Sequence, residues 1–438
     1  MIFWELALRN VLRNKRRSLS TVLAIGLSCA GLVLFGGYVA WAHLASETHA
    51  ATISGHLQLF KQGYRTKGAG NPAAFAVENY EGIKRQLRED KVIGPLLEMV
   101  TGQLLVQGMI SSADRQTSTV FLGVGAAPDD LERLARWNPH GLFDVRDLAA
   151  NAALFAAGPE LAQDDPDGIS LGVGLARLLD LRMPSHGSAE ARPTVELISQ
   201  PPSGGMANMI SATVRKLSTR ALEELDNRLV FMPLPLASSL LFPGEEPRVT
   251  SIILLLKDAR DLPRVEARLA ELARQGKLAL EWRDCWDLNP NNVRSVRMMD
   301  MFFLFAFCII AVVLVFTIYN TMMMSVMERV REIGTVRAMG LTRTDIIRLF
   351  TIEGLLLGLA GSVLGLLLAT GISAIINRAE ILYIPPMVTM YAKLQVLVTS
   401  SPGIMAASFA SCLLVALLGA FLPARRASRM VVVEALRS

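Results

Sequence analysis

Residue types able to do chemistry are scattered along this chain rather than gathered. His43, His49 and His56 stand six or seven positions apart, a poor helical spacing for a shared metal, and His140 and His186 are isolated. Asp164, Asp165 and Asp167 resemble a fragment of a calcium loop, but the glutamate that closes such a loop is missing, so a solvated turn is expected. There is no G-x-x-x-x-G-K-[ST] run to cradle a nucleotide phosphate, and no H-E-x-x-H or C-x-x-C. Gly172-Val173-Gly174 lacks the third glycine of a dinucleotide fingerprint and reads as a turn. Cys29, Cys308 and Cys412 fall in apolar stretches, which leaves Cys285 without a partner for a disulfide. The expectation is a chain with no catalytic site, no metal and no cofactor of its own.

The constellation that stands out is built for docking. From Val326 to Leu349 the chain reads VMERVREIGTVRAMGLTRTDIIRL. Val326, Val330, Ile333, Val336 and Met339 recur at helical period, and Glu328, Arg329, Arg331, Glu332 and Arg337 cover the rest. Gly340 punctuates, and Thr342 or Thr344 can cap a second helix. A stiff elbow, apolar on one side and charged on the other, suits a partner protein. A solvated hairpin is the plainer alternative.

The elements that position this elbow are apolar. Hydrophobic residues make up 52% of the chain and charged residues 19%, against about 25% charged in ordinary soluble domains. That deficit sits in four stretches near the length of about 20 residues that crosses a bilayer core: 20–42, 298–325, 350–377 and 403–424. The first exceeds the 7–15 apolar residues, roughly, of a signal-peptide core, so a retained helix is expected. Arg9, Arg13, Lys15, Arg16 and Arg17 precede span one. Arg329, Arg331, Arg337, Arg343 and Arg348 lie between spans two and three, and Arg425, Arg426, Arg429 and Arg437 follow span four. Only Arg378 and Lys393 occupy the loop 378–402. Basic loops stay cytoplasmic, so both termini are expected inside, with 43–297 and 378–402 outside. The net charge of +5 is thereby assigned to membrane orientation, not to nucleic acid. Residues 1–19 are expected to form an amphipathic helix along the inner interface, and 425–438 a cytoplasmic tail.

The fold class expected is a membrane protein: four transmembrane α-helices and a large extracytoplasmic α+β domain inserted between helices 1 and 2. Strands are expected at Ile53–Phe60, Leu104–Ile110, Thr119–Val124, Val249–Leu256 and Leu278–Trp282, and helices at Asn79–Asp90, Asp129–Trp137 and Asp261–Gln275. Both ends of the domain show strand–helix–strand order. They imply an α/β subdomain made from about 43–110 and 242–297, carrying an inserted β-rich subdomain at about 111–241. In the membrane part, Gly354/Gly358 and Gly361/Gly365 are small-xxx-small steps for helix packing. Met301, Phe302, Phe305, Ile309 and Val312 present an apolar side of span two that can meet acyl chains, bulk lipid or a second subunit. Glu353 is expected at the interface or hydrogen-bonded within the bundle.

The run from Glu328 to Gly340, ERVREIGTVRAMG, followed from Asp345 by DIIRLF-x-x-EGLLLGLAG, resembles the signature of FtsX-type ABC permeases. The closing LPARRASRMVVVEALR (Leu422–Arg437) and the opening LALRNVLRNKRRS fit it too. GHLQLF, GVGLARLLDL and ELDNRLVFMPL are most similar to the lipoprotein-releasing members. The resemblance implies a bacterial inner-membrane permease with a periplasmic domain, dimeric with a second copy or a paralogue. It further implies two copies of a separate cytoplasmic ATPase that binds ATP and Mg, because this chain opens at the interfacial helix without a fused ATPase domain. Mechanotransmission, with substrate taken from the outer leaflet, follows by the same resemblance. A periplasmic lipoprotein, carrier or adaptor would be a further partner, alongside membrane lipids. Two rival functions stay open: the permease of a tripartite efflux system, and an envelope scaffold that regulates a periplasmic hydrolase.

Overall fold

The computed structural model describes residues 2–68, 70–112, 117–142, 161, 165–181, 192–218, 226–383 and 392–429. They fall into two compact units: Ala45–Arg294 with Tyr383–Lys393, and Met1–Leu44, Ser295–Leu382 and Leu394–Ser438.

The first unit is organised by one long strand. Among the described residues its main sheet has nine strands, in chain order β1 Leu57–Lys61, β2 Leu97–Ser112, β3 Ser118–Ala126, β4 Gly168–Gly172, β5 Thr194–Ser199, β6 Asn208–Ser218, β7 Leu229–Pro233, β8 Ser251–Leu256 and β9 Leu280–Asp284. Their lateral order is β3-β7-β4-β6-β5-β2-β8-β1-β9, and β3 also pairs with β2. That extra pairing closes six strands into a ring, the device by which a sheet removes its exposed edges. Leu104, Val106, Ile110, Ile169, Leu171, Leu197 and Val214 fill its core. β8, β1 and β9 extend from the other half of β2. Helices Tyr80–Glu89 and Leu262–Arg274 cover them through Leu87, Val265, Leu269 and Leu272, over Leu57, Leu59, Ile252 and Leu254.

The expected division at residue 111 is therefore moved. β2 belongs to both parts, pairing with β8 through Gln103 and with β3 from Gln103 to Ser111. The expected strand from Ile53 is also corrected. Ile53 and Ser54 finish a long helix, Gly55 at φ +68 breaks it, and the strand starts at Leu57. A side chain at Gly55 would be strained by that φ and would meet Leu254 and Ile253.

Among the described residues four helices are long and apolar enough to cross a membrane: Lys15–Ser54, Pro290–Glu328, Arg343–Ala379 and Pro402–Ser428. Each is longer than the apolar stretch read from sequence. The first and second carry residues of both units. In the second unit, the third helix meets its neighbours through glycines. A Cβ at Gly358 would lie 2.7 Å from the Ala416 side chain, and one at Gly361 or Gly365 would lie 2.5 Å from Ile25 or Cys29. Gly354 likewise faces Ala420. Backbones approach this closely only where side chains are absent.

Candidate functional site

The elbow consists of a helix, Val330–Ala338, set between the second and third long helices. Arg329, at φ −112, interrupts the helical run before it. Gly340, at φ +108, turns the chain after it, a conformation that favours glycine. Thr342 then starts the third long helix with a capping box. The Asp345 amide donates to Thr342 Oγ1 at 3.3 Å, and the Thr342 amide donates to Asp345 Oδ2 at 3.0 Å.

The elbow's residues divide into three groups. Val326, Ile333 and Gly334 are buried, and Val326 and Ile333 join Ile346, Phe350, Leu357 and Ala424 in one apolar cluster. Arg331 and Gly340 are exposed, and Met339 is 70% exposed at the helix end. The third group departs from the expectation of a free charged face. Arg329 is 9% exposed; its Nη1 lies 3.5 Å from Glu353 Oε2 and its Nη2 donates to the Asn10 carbonyl at 3.2 Å. Glu332 accepts from Arg13 at 2.9 Å, and Glu328 pairs with Arg17 and accepts from Asn14 at 3.5 Å. These contacts come from the N-terminal helix Ile2–Arg13 and the start of the first long helix. Glu353 thus sits buried in the bundle beside a cation, while Arg337 is half-buried.

The engagement of the N-terminal helix was missed on sequence, though a signal existed. Arg13 and Arg17 are four apart, as are Glu328 and Glu332, so each pair can present one face at helical period. The N-terminal helix has two apolar sides. Ala7 and Val11 pack inward, whereas Trp4, Leu8 and Leu12 remain exposed.

Met301, Phe302, Phe305, Ile309 and Val312 share an exposed side of the second long helix, between 48% and 66% exposed. Its other side supplies Leu314, Ile318, Met322 and Val326 to the bundle core. Only 11% of its most apolar window is buried, against 50% for the first helix, so this helix leaves the largest unfilled apolar face. Of the histidines, His43 meets Asp300 at 2.8 Å and His49 and His56 are buried; His186 and Asp164 lie outside the described residues. Asp165 pairs with Arg215. Among the described residues no group of three or more His, Cys, Asp or Glu side chains could hold a metal.

Helices of this length and apolarity, joined by a short charged elbow, define a multi-pass membrane protein. The family described as FtsX-like permease C-terminal matches residues 304–432, which include the elbow and the last two long helices. A macrolide export ATP-binding/permease protein MacB of Chlorobium luteolum is 24% identical over 448 residues, covering 99% of this chain and 60% of that protein. A MacB of Agrobacterium fabrum is 36% identical over 119 residues, covering 27% and 16%. The pyoverdine export ATP-binding/permease protein PvdT of Pseudomonas syringae is 28% identical over 218 residues, covering 49% and 30%. The chain thus covers 60% or less of the length of these relatives. Among solved structures, the periplasmic region of MacB from Actinobacillus actinomycetemcomitans matches with a TM-score of 0.31 and 13% identity, covering 54% of this chain and 91% of that one. Residues 304–432 thus carry the FtsX-like permease C-terminal region, shared with ABC export permeases.

Proposed function

We propose that this chain is the membrane subunit of an ABC transporter whose elbow docks a separate cytoplasmic ATPase. ATP and Mg bind on that ATPase, present in two copies, and a second permease copy or paralogue completes the assembly. Both termini lie in the cytoplasm, and the unit containing 45–294 lies outside, between spans one and two. The observation that carries the docking is the sorting of elbow residues. With Ile333 inside and Glu328 and Glu332 paired to arginines, the outward set is Met339 flanked by cationic Arg331. A fitting ATPase surface is an apolar pocket with an acidic rim. Closure of the ATPases would move the elbow, and the unbroken helices Lys15–Ser54 and Pro290–Glu328 would carry the movement outward.

The cargo is read as a lipoprotein or lipid taken from the outer leaflet of the bacterial inner membrane. The exposed face of Met301, Phe302, Phe305, Ile309 and Val312 offers acyl chains an apolar surface. Multi-chain lipids need an energy input to leave, since each buried CH₂ anchors them by about 0.8 kcal/mol. A second reading, export of a small amphipathic molecule through a periplasmic adaptor, is favoured by the macrolide and pyoverdine exporters among the relatives.

The docking test is capture of the ATPase by solubilised permease carrying Arg331→Glu, Arg337→Glu or Met339→Gln. Desolvated interface charges cost about 2–5 kcal/mol when one partner is lost, so capture should fall with insertion intact. Unchanged capture by all three variants would leave the elbow a connector. Mass spectrometry of co-purified molecules separates the two cargo readings.

A further inference from the structure

We propose that the N-terminal helix is a charge-locked clamp on the elbow, with Arg13 and Arg17 as positioning residues that set the elbow's orientation. Four contacts converge here from two directions. Arg13 holds Glu332 at 2.9 Å, Arg17 holds Glu328, and Asn14 reaches Glu328 at 3.5 Å. From the elbow side, Arg329 donates to the Asn10 carbonyl at 3.2 Å while facing Glu353 on the third long helix at 3.5 Å. Beneath them Ala7 is fully buried and Val11 packs on the bundle core.

Exposed ion pairs are individually weak. Here they flank a buried pair: Arg329 and Glu353 are only 10% and 6% exposed in their side chains, and Arg13 and Arg17 reach Glu332 and Glu328 on either side of Arg329. The clamp also changes what the elbow is attached to. The chain joins it to the second and third long helices; Arg13 ties it to the N-terminal helix, which leads through Asn14 into the first, and Arg17, on the first turn of Lys15–Ser54, holds Glu328 at the end of the second. An elbow that tilts must therefore carry the first long helix with it or release these pairs.

The clamp stands on these contacts alone; its role in coupling rests on the elbow docking an ATPase. A reporter cysteine at Ala7, buried only while the helix is seated, tests the clamp without any ATPase. The full chain in inside-out membrane vesicles is labelled with an impermeant maleimide, and peptide mass spectrometry separates the reporter from the native cysteines. Arg13→Glu with Arg17→Glu should speed labelling about tenfold, the change that about 1.4 kcal/mol of lost contact produces. Adding Glu332→Arg and Glu328→Arg should slow it again. A second reporter at Val11 guards against Ala7→Cys disturbing the fold. Equal labelling in all variants, or no rescue by the exchanged charges, would overturn the clamp. Arg13→Glu with Arg17→Glu should also weaken ATPase capture, and the added Glu332→Arg and Glu328→Arg should restore it. Intact clamp behaviour with no ATPase capture by any variant would instead sink the docking reading.

Discussion

Each unit contains an ion pair withdrawn from solvent, half-buried in the sheet unit and buried in the helical one, and the two are finished differently. In the sheet unit, Arg268 donates to Asp90 Oδ2 at 2.9 and 3.1 Å, and the Val92 and Ile93 amides donate to Oδ1 at 2.9 and 3.0 Å. Burial pushes the Asp90 carboxyl up, but Arg268 and the two amides outweigh it and hold the carboxyl below its ordinary range. In the helical unit, Arg329 and Glu353 sit 3.5 Å apart, and neither Arg329 Nη1 nor Glu353 Oε2 has a hydrogen-bond partner among the described residues. A saturated pair fixes one conformation. A buried pair in contact without a direct hydrogen bond is costly to keep, and Arg329 completes itself on the Asn10 carbonyl of another helix, which suits a joint whose partners change. The contrast places rigidity under the sheet and adjustability at the elbow.

The most damaging way to break the contrast is Glu353→Ala. It strands a buried guanidinium, at a cost of about 3–5 kcal/mol. Thermal unfolding of the detergent-solubilised chain should show the loss, and unchanged stability would mean that Glu353 carries no compensated charge.

Acid sharpens it from the sheet side. Burial lowers the pKa of His56 to about 4, with the Asp258 carboxylate pulling the other way. The unfolded chain takes up this proton first, so stability is complete above about 6.5 and is lost as pH falls from there towards 4. The drop from an ordinary value of about 6.5 corresponds to roughly 3 kcal/mol. Urea unfolding across that window, followed by proteolysis within 45–294, should show the slope, and His56→Gln should reduce it, leaving the share of His49, whose pKa burial also lowers to about 4. Asp90 titrates lower still, so its pair outlasts this loss.

Asp90→Ala should cost less than Glu353→Ala, about 1.5–3 kcal/mol for hydrogen bonds to a charged group, because Arg268 keeps Glu271 at 2.6 Å. A urea midpoint that moves as far as in Glu353→Ala would erase the distinction. The smallest effect belongs to Phe305→Ala. An exposed position should shift stability by no more than about 0.5 kcal/mol, while transport of an acyl-bearing cargo falls. A large stability loss there would mean that this face is already packed.

What the sequence disclosed depended on how local the cause was. The four long helices follow from apolar runs, and Thr342 was one of two capping choices that the Asp345 carboxylate resolves. The small residues at Gly354 and Gly361 carry their close approach in their type. The ring of strands was not legible, because closing it needs β2 to pair with β3, β5 and β8 at once, and no local pattern encodes three partners for one strand. The burial of Arg329 was hidden for a similar reason. Its neighbours Asn10 and Glu353 lie 319 and 24 positions away, and an arginine between exposed charges reads as one more surface charge.

The central claim is that the elbow's outward end meets an ATPase. A photo-crosslinking residue in place of Met339, activated in growing cells, tests it most directly. The account predicts capture of a P-loop ATPase from Met339, and only lipid, cargo or a second permease copy from the same probe at Phe305. Capture at Met339 of lipid or permease alone, with the chain inserted and its elbow open to a soluble maleimide, would contradict it.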